Sequence, residues 1–265
     1  MEVLFLEPYM SDVDRPAPTQ SLDKRFVSGV ALAIVGTFLF AMKSIFIKLS
    51  FAAGADAITL LTMRMLLSLP FYVGMLWYLN RRQPETRSYD YRLMVKAVLL
   101  GFLGYYLASF LDMRGLEYIS AQLERLTLFT YPAIVALLAW MFLGEAITRY
   151  SVVALAMCSL GIYVMYSKER MVGDEDDVAL GVRVVMGSAI SYSLYVLFAK
   201  PIMQRMGSRK FTSLAMIGST IFVGVHFALT RNVSSMELPT RVWGYALLIA
   251  FVCTVLPSFF INEAI

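Results

Sequence analysis

Eight stretches of this chain contain no Asp, Glu, Lys or Arg: residues 27–42, 65–80, 97–111, 126–144, 150–167, 184–199, 211–230 and 242–262. Crossing the ~30 Å hydrocarbon layer of a bilayer takes roughly 20 helical residues, fewer where a flanking Lys or Arg snorkels to the interface. A soluble domain carries about a quarter charged residues. This chain has 16% charged and 59% apolar residues, with a mean hydropathy of +0.68. Membrane β-strands would alternate over about ten residues, and such segments are absent. The runs predict an all-α polytopic membrane protein with eight transmembrane helices, near 26–50, 57–79, 93–111, 121–143, 151–166, 180–200, 211–229 and 242–261. The lipid bilayer is thus its first partner.

Charge distribution sets the orientation. Residues 1–25 are polar and acidic with three prolines, and have no basic segment leading into a cleavable apolar core. They read as a cytoplasmic N-terminal tail. With the tail inside, Arg81, Arg82, Arg87, Arg92 and Lys96 fall on the cytoplasmic side, as do Arg205, Arg209 and Lys210, while the acidic run 174–177 falls outside. That satisfies the positive-inside rule and predicts a multi-pass protein of the cytoplasmic (inner) membrane. The net charge of +4 is a consequence of this asymmetry and does not indicate nucleic-acid binding.

Enzymatic and cofactor chemistry finds no foothold. A single histidine cannot build a histidine-rich metal site, and the two cysteines, Cys158 and Cys253, sit within apolar runs without ligand or disulfide spacing. A GxxxxGK[ST] phosphate loop is missing, and the apolar runs contain no aspartate for an intramembrane protease. The expectation is no cofactor, no metal and no catalysis.

The chain also repeats itself. GVALAIVGTFLFAMKSIFIK at 29–48 returns in outline as GVRVVMGSAISYSLYVLFAK at 181–200, a shift of 152 residues. GFLGYYLASF at 101–110 is echoed by AFVCTVLPSFF at 250–260, a shift of 149 residues. The charged segment 167–179 divides the copies into 26–166 and 180–265. Five predicted helices precede that boundary, so the second copy must cross the membrane in the opposite sense. Inverted repeats of this kind place substrate near the midplane and alternate access by rocking one half against the other.

The segments GFLGYYLASFLDMRGLEYISAQ at 101–122 and YPAIVALLAWMFLGEAIT at 131–148 resemble the EamA-like family of the drug/metabolite transporter superfamily. The resemblance rests on Gly101, Gly104, Leu116, Tyr118, Pro132, Leu143, Gly144 and Glu145, with Gly161 late in the fifth helix. It implies a 5+5 inverted-repeat fold of ten helices and export of small metabolites such as amino acids. A proton or counter-substrate and a homodimer are compatible with it. By the same alignment Ile265 matches Leu116, so the second repeat holds three of its five helices. The expectation is a C-terminally truncated fragment. The alternative is a non-transporting eight-helix protein that needs a partner for the missing helices.

Charged groups inside a membrane segment are expensive and mark function by default. Arg64 lies about seven residues into the second helix, ~10 Å below the surface, and either contacts an anionic substrate group or snorkels outward. Lys43 either lines the cavity or reaches the interface along its stem. Glu124 opens the fourth helix; it either pairs with Arg64, or takes a coupling proton if buried, or belongs to a solvated rim with Asp112, Arg114 and Glu117. Glu124 and Arg125 project about 100° apart, so one of them is expected to face the interior. Tyr105, Tyr106, Tyr131, Tyr192 and Tyr195 are expected to line the cavity or simply to pack, with Tyr192 and Tyr195 on one helical face. His226 and Glu145 read as structural.

Overall fold

The computed structural model describes residues 35, 38–39, 41–82 and 91–257, and these form helices joined by short turns, with no strand among them. In chain order they are α1 Lys43–Ala52, α2 Ala57–Arg82, α3 Tyr91–Leu116, α4 Ala121–Leu143, α5 Arg149–Glu169, α6 Glu175–Met206, α7 Ser208–Thr230 and α8 Thr240–Val255. Among the described residues, α2 to α7 are six helices long and apolar enough to cross a membrane, and α8 is a shorter apolar helix. The expected tail 1–25, the start of the first helix, the loop bearing Arg87 and the closing residues 258–265 lie outside the described residues.

The turns at 53–56, 117–120, 170–174 and 231–239 share one end of the bundle, hereafter the first end; those at 144–148 and 207 share the second. Local chemistry fixes each boundary. The hydroxyl of Ser120 accepts from the Leu123 N–H to start α4, and Asp174 accepts from Asp176 and Asp177 to start α6. Gly144 closes α4 with φ +69°, a left-handed conformation available to glycine at little cost, while the Glu145 N–H reaches back to the Ala139 carbonyl. Arg81 lies 4.0 Å over the Trp77 ring at the second end, and Arg114 and Arg170 lie over Tyr118 and Tyr166 at the first. Such aromatic belts mark the two membrane–water interfaces.

The helices α2, α3, α6 and α7 form the centre, with α7 packed most extensively on α2 and α6 on α3. Helix α5 buries no residue and exposes Val152, Val153, Met157, Leu160 and Tyr163, an apolar surface suited to lipid. Close packing at the centre depends on missing side chains. A Cβ on Gly101 would stand 2.3 Å from the Ala215 carbonyl oxygen of α7, and one on Gly104 would stand 2.3 Å from the Tyr195 ring of α6. Close backbone approach through small residues is how membrane helices associate when burying apolar surface gives little gain. Gly101→Ala is therefore expected to cost about 1–3 kcal/mol, read as a lower Tm in detergent. Gly74→Ala, where nothing lies within 4 Å, is the control and leaves Tm unchanged or slightly raised.

Both α3 and α8 carry a π-helical segment, Phe102–Leu107 and Phe251–Val255 respectively. Such a segment disturbs the α-helical ladder, and in a membrane its carbonyls need partners from elsewhere. Helix α6 supplies them beside α3: Ser191 donates to the Leu103 carbonyl at 2.8 Å and Ser188 to the Ala108 carbonyl at 2.7 Å.

Candidate functional site

Four helices bring charge together beneath the first end. Lys43 of α1 donates from Nζ to Oδ2 of Asp112 on α3 at 2.6 Å, and both residues are at most 4% exposed. Ser44, next in α1, donates to Oε2 of Glu124 on α4 at 2.7 Å, and Glu124 is fully buried. Arg125 Nε approaches the same Glu124 oxygen at 3.4 Å. Arg64 of α2 donates from Nη2 to Ser109 of α3 at 3.1 Å and lies within the field of Asp112. Its Nε meets no acceptor among the described residues.

This arrangement revises several expectations. Lys43 does not snorkel: its stem points inward and its ammonium is held by Asp112. Arg64 is 4% exposed, so it too turns inward. Glu124 is part of the interior, not of a solvated rim, and its partners are Ser44 and Arg125; no contact joins it to Arg64. Glu124 and Arg125 are both largely buried, because the long Arg125 side chain, 12% exposed, folds back onto its neighbour despite the angle between their Cβ bonds. Asp112 is the residue that the sequence did not single out as part of a site. Helix α3 runs a full turn beyond the apolar run that ends at Leu111, and carries Asp112 into the bundle. The available signal was Lys43 itself, since a cation in an apolar helix calls for a carboxylate at the same depth.

Further toward the second end, four of the tyrosines meet. Tyr195 Oη donates to Tyr105 Oη at 3.0 Å, with ring centroids 5.2 Å apart. Tyr192 stands edge-on to Tyr131 at 5.1 Å and 5.7 Å from Tyr195. Tyr195 is buried and the other three are half-buried. The cluster surrounds the break in α4 at Phe129 and Thr130, just before Pro132, where Ser193 donates to the Tyr131 carbonyl at 3.1 Å. Tyr105 lies seven residues along α3 from Asp112, roughly 10 Å, so charged and phenolic groups occupy different depths. His226 of α7 sits within hydrogen-bonding distance of Tyr106, 3.0 Å, and edge-on to Phe110.

An open groove of about 570 Å³ at the first end is lined by Lys48, Tyr118, Ser120, Gln122 and Glu169, and by none of the seven predicted site residues. Glu169 accepts from both the backbone N–H and the hydroxyl of Ser120, which ties the end of α5 to the start of α4.

A bundle of six helices long and apolar enough to cross a membrane is the architecture of a multi-pass membrane protein. The chain belongs to the EamA-like transporter family, whose profile matches residues 27–167. It is similar to "Uncharacterized transporter YcbK" of Bacillus subtilis (strain 168), at 24% identity over 253 residues, covering 94% of this chain and 80% of that protein. A solved crystal structure, titled only as that of a protein, shares the fold: TM-score 0.60 at 11% identity, covering 89% of this chain and 79% of that one. Membership places the chain in the drug/metabolite transporter superfamily, with the lipid bilayer around it and a small molecule as its cargo.

Proposed function

We propose that the chain is a secondary carrier that exports a small polar metabolite of the amino-acid kind by alternating access. Lys43, Asp112, Arg64 and Glu124 form its charged site, and Tyr105, Tyr131, Tyr192 and Tyr195 line the onward path. One observation carries this reading: a network of full charges, buried where four helices meet, within segments that face lipid on their other sides. The effective penalty for burying an ion is several kcal/mol. A purely structural bundle would be at least as stable with apolar side chains there, so the charges are retained for what they bind.

A recurring shift between the two halves of the chain supports alternating access. The π segments begin at Phe102 and Phe251, 149 positions apart, the shift already seen between the repeated sequences. The alignment of 29–48 on 181–200 pairs Lys43 with Tyr195. Lys43 belongs to the helix that runs toward the first end and Tyr195 to one that runs away from it. Each is joined to a residue of α3, Asp112 near the first end and Tyr105 deeper in. Two positions related by the sequence repeat thus build two polar contacts at different depths, which supports the inverted-repeat reading. In this reading the N-terminus is cytoplasmic, the membrane is the inner membrane, and the protein is a carrier and not an enzyme.

The test is transport by purified protein in liposomes preloaded with a panel of labelled amino acids and related metabolites. Saturable efflux of at least one class, absent from empty liposomes, is expected. No efflux of any class from protein shown to be folded and inserted would overturn the proposal. Tyr195→Phe, which removes one hydroxyl and its bond to Tyr105, is expected to lower the efflux rate by several-fold, about 1 kcal/mol, with little change in Tm.

A further inference from the structure

The open groove of about 570 Å³ at the first end lies apart from the charged site and the tyrosines, and three separate pieces of chain build it. Helix α1 contributes Ile45, Lys48 and Leu49, the turn into α4 contributes Tyr118 with Gln122 just beyond it, and the last residue of α5 contributes Glu169. A volume of this size falls in the range of small-ligand sites.

Its polar groups are of two kinds. Among the described residues the Lys48 side chain has no hydrogen-bond or ion-pair partner, and the exposed Gln122 amide has none either. Glu169, by contrast, is held in place: its carboxylate accepts from the backbone N–H of Ser120 and, at 2.8 Å, from the Ser120 hydroxyl. A carboxylate offers about four lone-pair sites, so two donors leave it able to accept more. The groove thus presents one unengaged cation and one fixed anion, on different helices and with no ion pair between them.

Its apolar side lies at membrane depth. Ile45 and Leu49 are exposed and stand one turn apart on a face of α1 that also carries the exposed Phe38. On α5 the exposed Val164, Tyr163 and Leu160 continue an apolar surface away from Glu169. Beside the groove, Arg114 lies over Tyr118 and Arg170 over Tyr166, the aromatic belt that marks the headgroup layer. Opposite charges at that layer with an apolar descent below them match a lipid, and a water-soluble molecule would leave the descent unused.

We propose that this groove binds one phospholipid of the leaflet at the first end, and that it selects a headgroup carrying both a phosphate and a primary ammonium, as in phosphatidylethanolamine. The Lys48 ammonium holds the phosphate, while Glu169 and the Gln122 carbonyl accept from the lipid ammonium. The acyl chains run along Ile45, Leu49 and the outer face of α5. Charge complementarity makes the choice. Phosphatidylglycerol satisfies Lys48 but sets no cation against Glu169, and a choline headgroup brings a cation with no N–H to donate. The seated lipid joins α1 to α4 and α5. Ser44, one turn before Lys48, already bonds to Glu124, two residues beyond Gln122, so the lipid braces the same helices that hold the charged site. The inference stands independently of the carrier reading.

The test uses the full chain, purified in detergent, stripped of lipid and titrated with phosphatidylethanolamine, phosphatidylcholine or phosphatidylglycerol of identical acyl chains. Native mass spectrometry counts the bound lipid. One phosphatidylethanolamine is expected to bind at least about tenfold more tightly than either other lipid, the difference that a charge-assisted hydrogen bond makes. Lys48→Gln is expected to weaken its binding by about tenfold. Glu169→Gln is expected to abolish the preference among the three lipids, while the glutamine carbonyl still accepts from Ser120. Lys200→Gln, at the second end, is the control and changes neither. Hydrogen exchange locates the site: phosphatidylethanolamine is expected to protect the amides of 117–122 and to leave those of 207–211 unchanged.

Equal affinity for the three lipids, tighter binding of phosphatidylglycerol, or unchanged phosphatidylethanolamine binding by folded Lys48→Gln overturns the proposal. So does equal protection of 117–122 by glycerophosphoethanolamine, the headgroup without acyl chains, which would make the groove a site for a soluble molecule. If a variant misfolds, the lipid preference and the exchange pattern of the wild type still decide.

Discussion

Replacing Lys43 by methionine is expected to destabilise the protein by about 3–5 kcal/mol, the cost of leaving one member of a buried ion pair without its partner. Nζ of Lys43 lies 2.6 Å from Asp112, and neither group has access to bulk water. Without the ammonium, Asp112 must either stay charged in a low-dielectric interior or take up a proton. The measurement is thermal or denaturant unfolding of purified protein in detergent, where the loss appears as a large fall in Tm. A change within the scatter of surface substitutions would mean that the pair is not buried as described.

The second large effect falls on transport. Arg64→Ala is expected to lower efflux by at least roughly 30-fold, about 2 kcal/mol or more, the range seen when one partner of a buried, hydrogen-bonded charge contact is truncated. Membrane insertion should persist, because among the described residues Arg64 donates to the Ser109 hydroxyl, a neutral partner, and Lys43 still holds Asp112. Arg64→Lys separates charge from shape. A lysine restores the positive field but not the planar fork of donors, so partial recovery indicates an electrostatic role and no recovery indicates bidentate recognition. Efflux by Arg64→Ala at the wild-type rate would remove this residue from the site.

Much of the architecture was legible because bilayer crossing imposes a length and a composition that short-range sequence carries directly. The runs at 97–111 and 211–230 became α3 and α7 with only their ends displaced. The glycine of the Leu143, Gly144, Glu145 signature found its reason in one backbone angle. Of the five tyrosines grouped as lying away from most helix ends, Tyr105, Tyr131, Tyr192 and Tyr195 do meet, whereas Tyr106 turns to His226 and Phe110.

The charged site was half legible. Arg64, Lys43 and Glu124 stood out because each interrupts or abuts an apolar segment, but their burial did not. A charge within a turn of a helix end ordinarily reaches water, and whether it does is decided by what packs over that end. Here the ends of α1 and α3 and the starts of α2 and α4 converge, so four helix ends cover one another's charges. Asp112 was hidden for the same reason: followed closely by Arg114 and Glu117, it reads as a solvated turn until α3 is seen to continue through it. In the structure Arg114 and Glu117 pair with each other at the surface while Asp112 turns inward.

The central claim is that this buried charge serves transport and not architecture, and the double substitution Lys43→Met with Asp112→Asn separates the two. Removing both charges leaves no stranded ion, and replacing a buried pair by neutral groups of similar volume is often neutral or stabilising. The account predicts a double variant whose Tm returns close to wild type, in contrast to Lys43→Met alone, and whose efflux in liposomes is lost. A stable double variant that transports at the wild-type rate would contradict it.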